Sequence, residues 1–492
     1  MHLTKLGLLS VGLAMTLAAC SEPAGTLPAA SAALDAANTT SISFSGTGKW
    51  YQFGQAPVPN QAWPAFDVAA YTQTVSYTDP PAARVEMTRL QVVDPNRARP
   101  APVEQKIDQY VVGELAWNAP PGGAVTAQPA TVQERTVEIW ATPHGFLRAA
   151  TANKATVTAA DGGSTVAFSV GNVKFTGSIS PQNEVTRVAA AFDNPVTGDT
   201  PVEFTYSNYR DFNGVRFPGR IVRTQAGHPV LEIDVAAVTK NPQVSFAVPD
   251  EVKSYQAPAV NVEVEQLADG VHYFRGGTHH SLVIEQADHI VVVEGPQSEA
   301  RGQAVIDKAK ELIPNKPIRY VINTHAHFDH SGGLRPFVAE GATIVTHESV
   351  KPFYEAAWAN PRTLNPDAMS KAGKAAMFET VGDKHVLTDG KRPIEIHAIQ
   401  GSGHADGFLM VYLPNEKILT EADAWSPLAP DAPPPATPNP FNVNLYENIE
   451  RLGLDVATIA PIHGRRVTMT ELRRDIGVPE PDPKAKAKAK AK

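Results

Sequence analysis

The sequence predicts an α+β protein of two domains: an N-terminal all-β antiparallel domain, then a domain in which strands and helices alternate. Residues 39–250 contain short segments of alternating apolar and polar residues, separated by clusters of Gly, Pro, Asn and Asp. Residues 251–261 contain Pro258 and few large apolar side chains, which is typical of an interdomain linker. From residue 262 onward, apolar strands are joined by helical patterns and end in His or Asp.

The composition is that of a globular protein with more than one domain. A chain of 492 residues is long enough for two or three domains, and a hydrophobic content of 42% is sufficient for their cores. The formal net charge of −8 argues against a nucleic-acid partner, because nucleic-acid binding depends on a basic surplus. The composition leaves the oligomeric state open.

Residues 1–19 are predicted to be a signal peptide. Lys5 supplies the positive start, and residues 6–17 form an apolar core that is too short to span a membrane. The segment ends in Leu-Ala-Ala followed by Cys20, which resembles the lipobox of bacterial lipoproteins. That resemblance implies lipidation of Cys20 and an anchor facing the periplasm, with Ser21 pointing to the outer membrane. An ordinary signal peptide with a chance cysteine is the alternative.

Residues 20–38, rich in Ser, Ala, Pro and Thr, are predicted to be a tether behind this anchor. The β-rich domain then extends over residues 39–250. Its predicted strands include residues 41–44, 136–140 and 231–235. The strand-turn-strand pattern of residues 206–218 is similar to lipoprotein-carrier (LolA-like) domains, which are curved antiparallel half-barrels.

The β-rich domain contains no cluster of metal-ligand type. Its isolated residues His144 and His228 are expected to be structural. At the other end of the chain, residues 478–492 end in alternating Lys and Ala and are predicted to form a disordered tail.

The opening of the second domain contains strands and one amphipathic helix. Apolar strands are predicted at residues 281–284 and 290–293, and a helix follows at residues 299–313. The next strand, residues 318–323, leads directly into a cluster of ligand-type side chains: His325, His327, Asp329 and His330. Neutral imidazole and carboxylate groups suit zinc and similar divalent ions, so this loop is predicted to be a metal site.

Three further segments repeat this design of an apolar stretch that leads to a possible ligand. Their ligands are His404, Asp423 and His463. Strand ends gathered at one edge of a layered fold would bring such side chains to one point. His279, His280 and His347 are weaker candidates for the same pocket, and structural roles are favoured for them.

Together these motifs resemble the metallo-β-lactamase fold superfamily of hydrolases over residues 262–477, which implies an αβ/βα sandwich. The resemblance implies two divalent metal ions, with zinc preferred over iron or manganese. It assigns one ion to His325, His327 and His404 and the other to Asp329, His330 and His463, with Asp423 as the bridge. Asp423 resembles the glyoxalase II and lactonase branches, and a His at position 327 favours hydrolysis over oxygen reduction.

The resemblance implies hydrolysis of a small molecule by a hydroxide shared between the two ions, oriented by Asp329 as a catalytic residue. An ester or lactone is the preferred substrate, because few residues follow His463 where glyoxalase II has an extra helical domain. Zinc β-lactamase and thioesterase activities are the enzymatic alternatives. A lipid-anchored carrier without catalysis is the second class of function considered, and a nuclease is disfavoured by the acidic charge.

The Pro-rich residues 426–441 are predicted to border the substrate pocket as a lid.

Overall fold

The structure is a computed structural model that describes residues 23–480. The predicted signal peptide, Cys20 and most of the Lys/Ala tail lie outside the described residues. Within residues 23–480, no helix combines the length and the apolar character needed to cross a membrane.

The N-terminal domain is built on one antiparallel sheet of 13 strands. The first long strand, β1, pairs with the last, β15, in the middle of the sheet, so two halves of the domain meet along this pair. The strands are β1 Ser41–Tyr51, β2 Ala65–Ser76, β3 Ala82–Gln91, β4 Gln105–Val112, β5 Leu115–Asn118, β6 Thr126–Ala127, β7 Thr156–Ala160, β8 Gly163–Val170, β9 Val173–Ile179, β10 Val185–Asn194, β11 Gly198–Ser207, β14 Arg220–Gln225 and β15 His228–Lys240, with a separate ribbon of β12 Arg210–Asp211 and β13 Arg216–Phe217. Their order in the sheet is β6-β5-β4-β3-β2-β1-β15-β14-β11-β10-β9-β8-β7.

The prediction of a strand at residues 136–140 is wrong. These residues lie in the helix α2, Val132–Ala141, which continues into α3, Pro143–Ala152. α2 contacts β3 and β4 from one half of the sheet and β10 from the other. Because it is covered from several sides, Val137, Ile139 and Ala141 are all buried, and this alternating pattern imitates a strand.

The predicted tether also differs from the structure. Within it, α1 spans Leu27–Ala33 and packs against α3, with Ala29 and Ala30 buried. The side chain of Thr26 accepts a hydrogen bond from the backbone N–H of Ala29 and a Pro follows in the first turn, so the helix has an ordinary N-terminal cap. Residues 27–33 therefore belong to the folded domain.

The second domain is a sandwich of two sheets. One has seven strands in sequence order: β16 Glu263–Ala268, β17 Val271–Arg275, β18 Ser281–Glu285, β19 Ile290–Val293, β20 Ile318–Ile322, β21 Thr343–His347 and β22 Met377–Val381. The other has five: β23 Lys384–Thr388, β24 Pro393–Ala398, β25 Leu409–Leu413, β26 Ile418–Thr420 and β27 Thr458–Ile459. The strands from β19 to β22 are parallel, as are β26 and β27.

Helices cover both outer faces of this sandwich. Side chains such as Ile284, Ile322 and Leu409 fill the space between the sheets. Two further apolar clusters pack the helices onto the outer faces. The remaining helices of the described chain are α4 Asp250–Lys253, α5 Glu299–Leu312, α6 Phe328–Ser331, α7 Arg335–Glu340, α8 Lys351–Trp358, α9 Ala368–Ala372, α10 Pro440–Leu452 and α11 Met469–Ile476. The predicted α+β fold class, a β-sheet domain followed by an αβ/βα sandwich, is confirmed.

The two domains meet through a buried ion-pair network. Arg362 of the second domain lies 2.8 Å from the carboxylate of Asp367, and its guanidinium lies 3.1 Å from Asp193 of β10. Arg335 also pairs with Asp367. Burial by itself raises the pKa of Asp367, but hydrogen bonds from Arg335 and from the backbone N–H of Ser370, together with the positive charges of Arg335 and Arg362, hold this pKa well below its usual value. The contact fixes the second domain against the β10–β11 turn.

Candidate metal centre

The seven side chains that the sequence predicts as ligands lie together at one edge of the sandwich. His325 and His327 follow β20, His404 lies between β24 and β25, Asp423 follows β26 and His463 follows β27. β20 runs parallel to β19, and β27 runs parallel to β26, so the carboxyl ends within each pair of strands lie at the same edge. Their role as metal ligands stays a prediction, but the structure brings all of them together.

The ligand-type atoms form two groups, in each of which all of these atoms lie within 4.8 Å of one another. The first group contains His325, His327, His404 and Asp423. Nε2 of His404 lies 3.2 Å from Nε2 of His325. His325 and His327 are buried, so a cation held here would be largely withdrawn from solvent.

The second group contains the predicted residues Asp329, His330 and His463 together with His279. Nε2 of His463 lies 3.1 Å from Nε2 of His330. Nε2 of His279 lies 3.3 Å from Oδ2 of Asp329. The sequence favours a structural role for His279 over a place in this pocket, but the structure places it among the ligand-type side chains.

Asp423 lies between the two groups. Its Oδ2 atom is 2.7 Å from Nε2 of His330 and 3.2 Å from Nε2 of His325. Its Oδ1 atom is 3.2 Å from Nε2 of His463. A carboxylate in this position can contact a cation in either group, which fits the bridging role that the resemblance implies.

One buried polar atom shows that the centre suits cations. Nδ1 of His327 is buried and has no hydrogen-bond partner. Leaving such an atom without a partner costs about 1–3 kcal/mol. A divalent cation would satisfy it, and the surrounding ligand atoms are the imidazole nitrogens and carboxylate oxygens that such ions prefer. The residues present therefore fit a metal centre.

The protonation of the first group matches this requirement. Burial lowers the pKa of His325 to about 4, and the neighbouring His330 acts in the same direction. Burial also holds the pKa of His327 well below its usual value. Although burial raises the pKa of Asp423, the positive field of His330 and hydrogen bonds from His325 hold it well below its usual value. Neutral imidazoles beside an ionised carboxylate are the forms that bind metals.

A second layer of side chains orients these groups. Glu294, directly after β19, is fully buried, and its Oε2 atom lies 3.3 Å from Nδ1 of His330. Its other oxygen accepts a hydrogen bond of 2.7 Å from the backbone N–H of Thr324. With Nδ1 engaged in this way, Nε2 of His330 is turned toward Asp423 and His463. No motif in the sequence marks Glu294 as part of this site.

The long loop after Asp423 begins and ends at this centre. Pro427 packs next to Gly464, the residue after His463. The ring of Phe441, in the first turn of α10, lies edge-on to His404 with 5.5 Å between ring centroids. That residues 426–441 act as a lid stays a prediction.

Residues 274–463 match the family model described as the Metallo-beta-lactamase superfamily. This segment contains both groups of ligand-type side chains. Residues 274–463 form a metallo-β-lactamase superfamily domain. The resemblance inferred from the sequence is confirmed for this domain. The LolA-like resemblance of the N-terminal domain and the lipoprotein signal stay predictions.

Individual proteins are similar to this chain over shorter or more divergent stretches. Over 87 residues it is 30% identical to a linear primary-alkylsulfatase from Pseudomonas sp, a match that spans 17% of this chain and 13% of that protein. A metallo-β-lactamase from Pontibacter korlensis is 16% identical, with a TM-score of 0.34, over 44% of this chain and 98% of its own. The flavodiiron protein from Giardia intestinalis is 18% identical, with a TM-score of 0.33, over 42% of this chain and 56% of its own.

Proposed function

We propose that this protein is a dinuclear metal-dependent hydrolase of a small molecule, with an ester or lactone as its preferred substrate class. The observation that carries the proposal is the position of Asp423, whose two carboxylate oxygens face histidines of both ligand groups. Membership of residues 274–463 in the metallo-β-lactamase superfamily supports a metal-dependent hydrolase. A lipid-anchored carrier without catalysis gives no reason for two such groups with a buried, unpartnered ligand atom on His327.

Two divalent cations, when bound, would supply an activated water and a Lewis acid at the same point. The side chains of the chain divide the remaining work. The first group and the second group would each hold one cation, and Asp423 lies where it could contribute a carboxylate oxygen to either group. Asp329 has its carboxylate partly exposed, in contrast to the buried His330, so this carboxylate can accept a hydrogen bond from the attacking water and orient it.

Sulfate esters are the second candidate substrate class. The observation that favours them is the 30% identity over 87 residues to a linear primary-alkylsulfatase. Sulfate-ester and carboxylic-ester hydrolysis both place negative charge on oxygens next to the cations, so the same centre suits both. Zinc β-lactamase and thioesterase activities also remain within this proposal.

A hydrolysis panel tests the proposal directly. Lactones, carboxylic esters, thioesters, alkyl sulfates and a chromogenic β-lactam are offered to the zinc-loaded protein and to its Asp329→Ala variant. We expect turnover of at least one lactone or ester by the wild type and a loss of about 100-fold or more in kcat in the variant, as is usual when a reacting group is no longer held in position. Absence of turnover on the whole panel, with two metal equivalents bound, would contradict the proposal.

We further propose that the enzyme is lipid-anchored at Cys20 and faces the periplasm. The apolar core at residues 6–17 and the cysteine that follows it support this proposal. Cell fractionation of the full-length wild type and of Cys20→Ser tests this. We expect the wild type in the outer-membrane fraction and the variant released from it. Recovery of both proteins in the same soluble fraction would contradict the anchor.

A further inference from the structure

We propose that Gln55 and Ala56, two consecutive residues of the N-terminal domain, are positioning residues of the metal centre. They lie in the loop between β1 and β2, about 270 residues before the ligands that they contact. This inference rests on the proposed function, because it assigns these residues a role toward the cations that the second domain would hold. It explains why a β-sheet domain precedes the metallo-β-lactamase domain.

Gln55 holds the outer oxygen of Asp329. Nε2 of Gln55 donates a hydrogen bond of 2.8 Å to Oδ1 of Asp329. The other oxygen, Oδ2, lies 3.3 Å from Nε2 of His279 and 3.7 Å from Nε2 of His330, and so faces the second group. The amide of Gln55 therefore fixes which carboxylate oxygen is presented to a cation.

Ala56 acts in the same way on His327, a member of the first group. Nε2 of His327 lies 3.2 Å from the backbone carbonyl oxygen of Ala56, and a carbonyl can only accept a hydrogen bond. The proton of His327 is thus held on Nε2, and the lone pair of the ring is on Nδ1. Nδ1 is the buried atom without a partner, so the tautomer set by Ala56 is the one that a cation at this centre needs.

The loop that carries these residues is fastened to the second domain on both sides. The backbone N–H of Phe328 donates to the carbonyl of Gly54 at 3.1 Å, and the N–H of Asp406 donates to the carbonyl of Pro57 at 2.7 Å. Gly54 has a φ of +82°, and a Cβ at this position would lie 2.7 Å from the ring of Phe328. The loop therefore packs closely against the ligand-bearing segment, and a larger residue at position 54 would clash with Phe328.

A second loop of the N-terminal domain reaches the third ligand of the first group. The guanidinium of Arg99 donates to the backbone carbonyls of Gly403 at 2.8 Å and His404 at 3.0 Å. Arg97 pairs with Asp406 at 2.7 Å. The N-terminal domain thus contacts Asp329 of the second group and His327 and His404 of the first group.

The test measures metal affinity in the full-length protein. Gln55→Met keeps the length of the side chain and removes the amide that donates to Asp329. Gln61→Met is the matched control, because Gln61 is an exposed glutamine of the same β1–β2 connection. Each protein is titrated with Zn²⁺ against a chromogenic chelator, and circular dichroism and the melting temperature report on folding.

For Gln55→Met we expect about 10–100-fold weaker binding of one of the two zinc equivalents, with the other unchanged, as is found when a partner behind a metal ligand is removed. Activity of this variant should recover as the zinc concentration is raised, which a purely structural defect would not do. Equal zinc affinities in wild type, Gln55→Met and Gln61→Met would overturn the inference while leaving the proposed function intact. A wild-type protein that binds no zinc would instead overturn the proposed function.

Discussion

The carboxylate of Glu294 lies 3.3 Å from Nδ1 of His330, and both side chains are fully buried. This pairing sets the direction of the ligand nitrogen from behind, as carboxylate–histidine pairs do in metal sites. The same carboxylate accepts the backbone N–H of Thr324, so it also fixes the start of the ligand loop.

Substituting Glu294 should therefore weaken both the metal site and the fold. In Glu294→Ala the N–H of Thr324 loses its acceptor inside the protein, which should lower the free energy of unfolding by about 1–3 kcal/mol. Zinc affinity should fall by about 10–100-fold. Glu294→Gln retains an oxygen acceptor and should be closer to the wild type in unfolding. Urea unfolding of the apoproteins and chelator-competed zinc binding measure the two effects, and a Glu294→Ala variant with normal zinc affinity would contradict the positioning role.

His279 should contribute to the second ligand group. Its Nε2 atom lies 3.3 Å from Oδ2 of Asp329, and its ring lies 4.1 Å from that of His463, centroid to centroid. His279→Ala should lower the affinity for one zinc equivalent by about 10-fold or more. His347→Ala is the control, since His347 bonds to Ser349 and belongs to neither group. Equal loss of zinc affinity in the two variants would show that His279 has no specific role.

The local sequence contained enough information to predict the four ligand-bearing loops. Each has an apolar strand whose hydrophobic run is evident, followed directly by His or Asp, so strand and ligand are encoded within about ten residues. Glu294 also follows an apolar strand, but a single acidic residue there is indistinguishable from a surface turn. Only the structure shows that it is fully buried.

The features that the sequence did not reveal depend on distant contacts. His279 lies between two antiparallel strands, and only the approach of Asp329 and His463 shows its role. Gln55 lies 274 residues from the carboxylate that it contacts, and its own neighbourhood has no pattern of a functional site. The sequence of helix α2 predicts a strand, because the sheet covers this helix on several sides and buries its residues in an alternating pattern. Local periodicity cannot predict contacts of this kind.

The buried His144 should make the stability of the protein depend on pH. Burial lowers the pKa of His144 to about 4, partly opposed by its hydrogen bond to the carbonyl of Leu34; Lys240 and Arg148 act with burial and Asp35 against it. In the unfolded chain His144 takes up a proton near its ordinary pKa of 6.5. The stability that the neutral, buried His144 contributes is therefore fully present above pH 6.5 and is lost as the pH falls toward 4. By pH 5 the loss should amount to about 2 kcal/mol.

His144→Gln isolates this effect, because Gln cannot titrate but can still donate to the Leu34 carbonyl. Urea unfolding of both apoproteins at pH 7 and pH 5 should show a smaller decrease in the variant than in the wild type. Other acid-sensitive groups affect both proteins equally and cancel in the difference. An identical decrease in the two proteins would mean that His144 is not responsible.

The ion-pair network between the domains should be far more important for stability than a surface pair. Arg362 and Asp367 are 5% and 2% exposed at their side chains, and Arg362 also contacts Asp193 of the N-terminal domain. Arg362→Ala leaves Asp367 with only Arg335 as a charged partner, and loss of one member of a buried network costs about 3–5 kcal/mol. The control is Arg319→Ala, because its pair with Asp288 is 46% and 64% exposed and should contribute little to stability. Urea unfolding measures both, and since Arg362 joins the domains, its loss should also separate the transition into two steps. Equal and small effects in the two variants would show that the interface does not depend on this network.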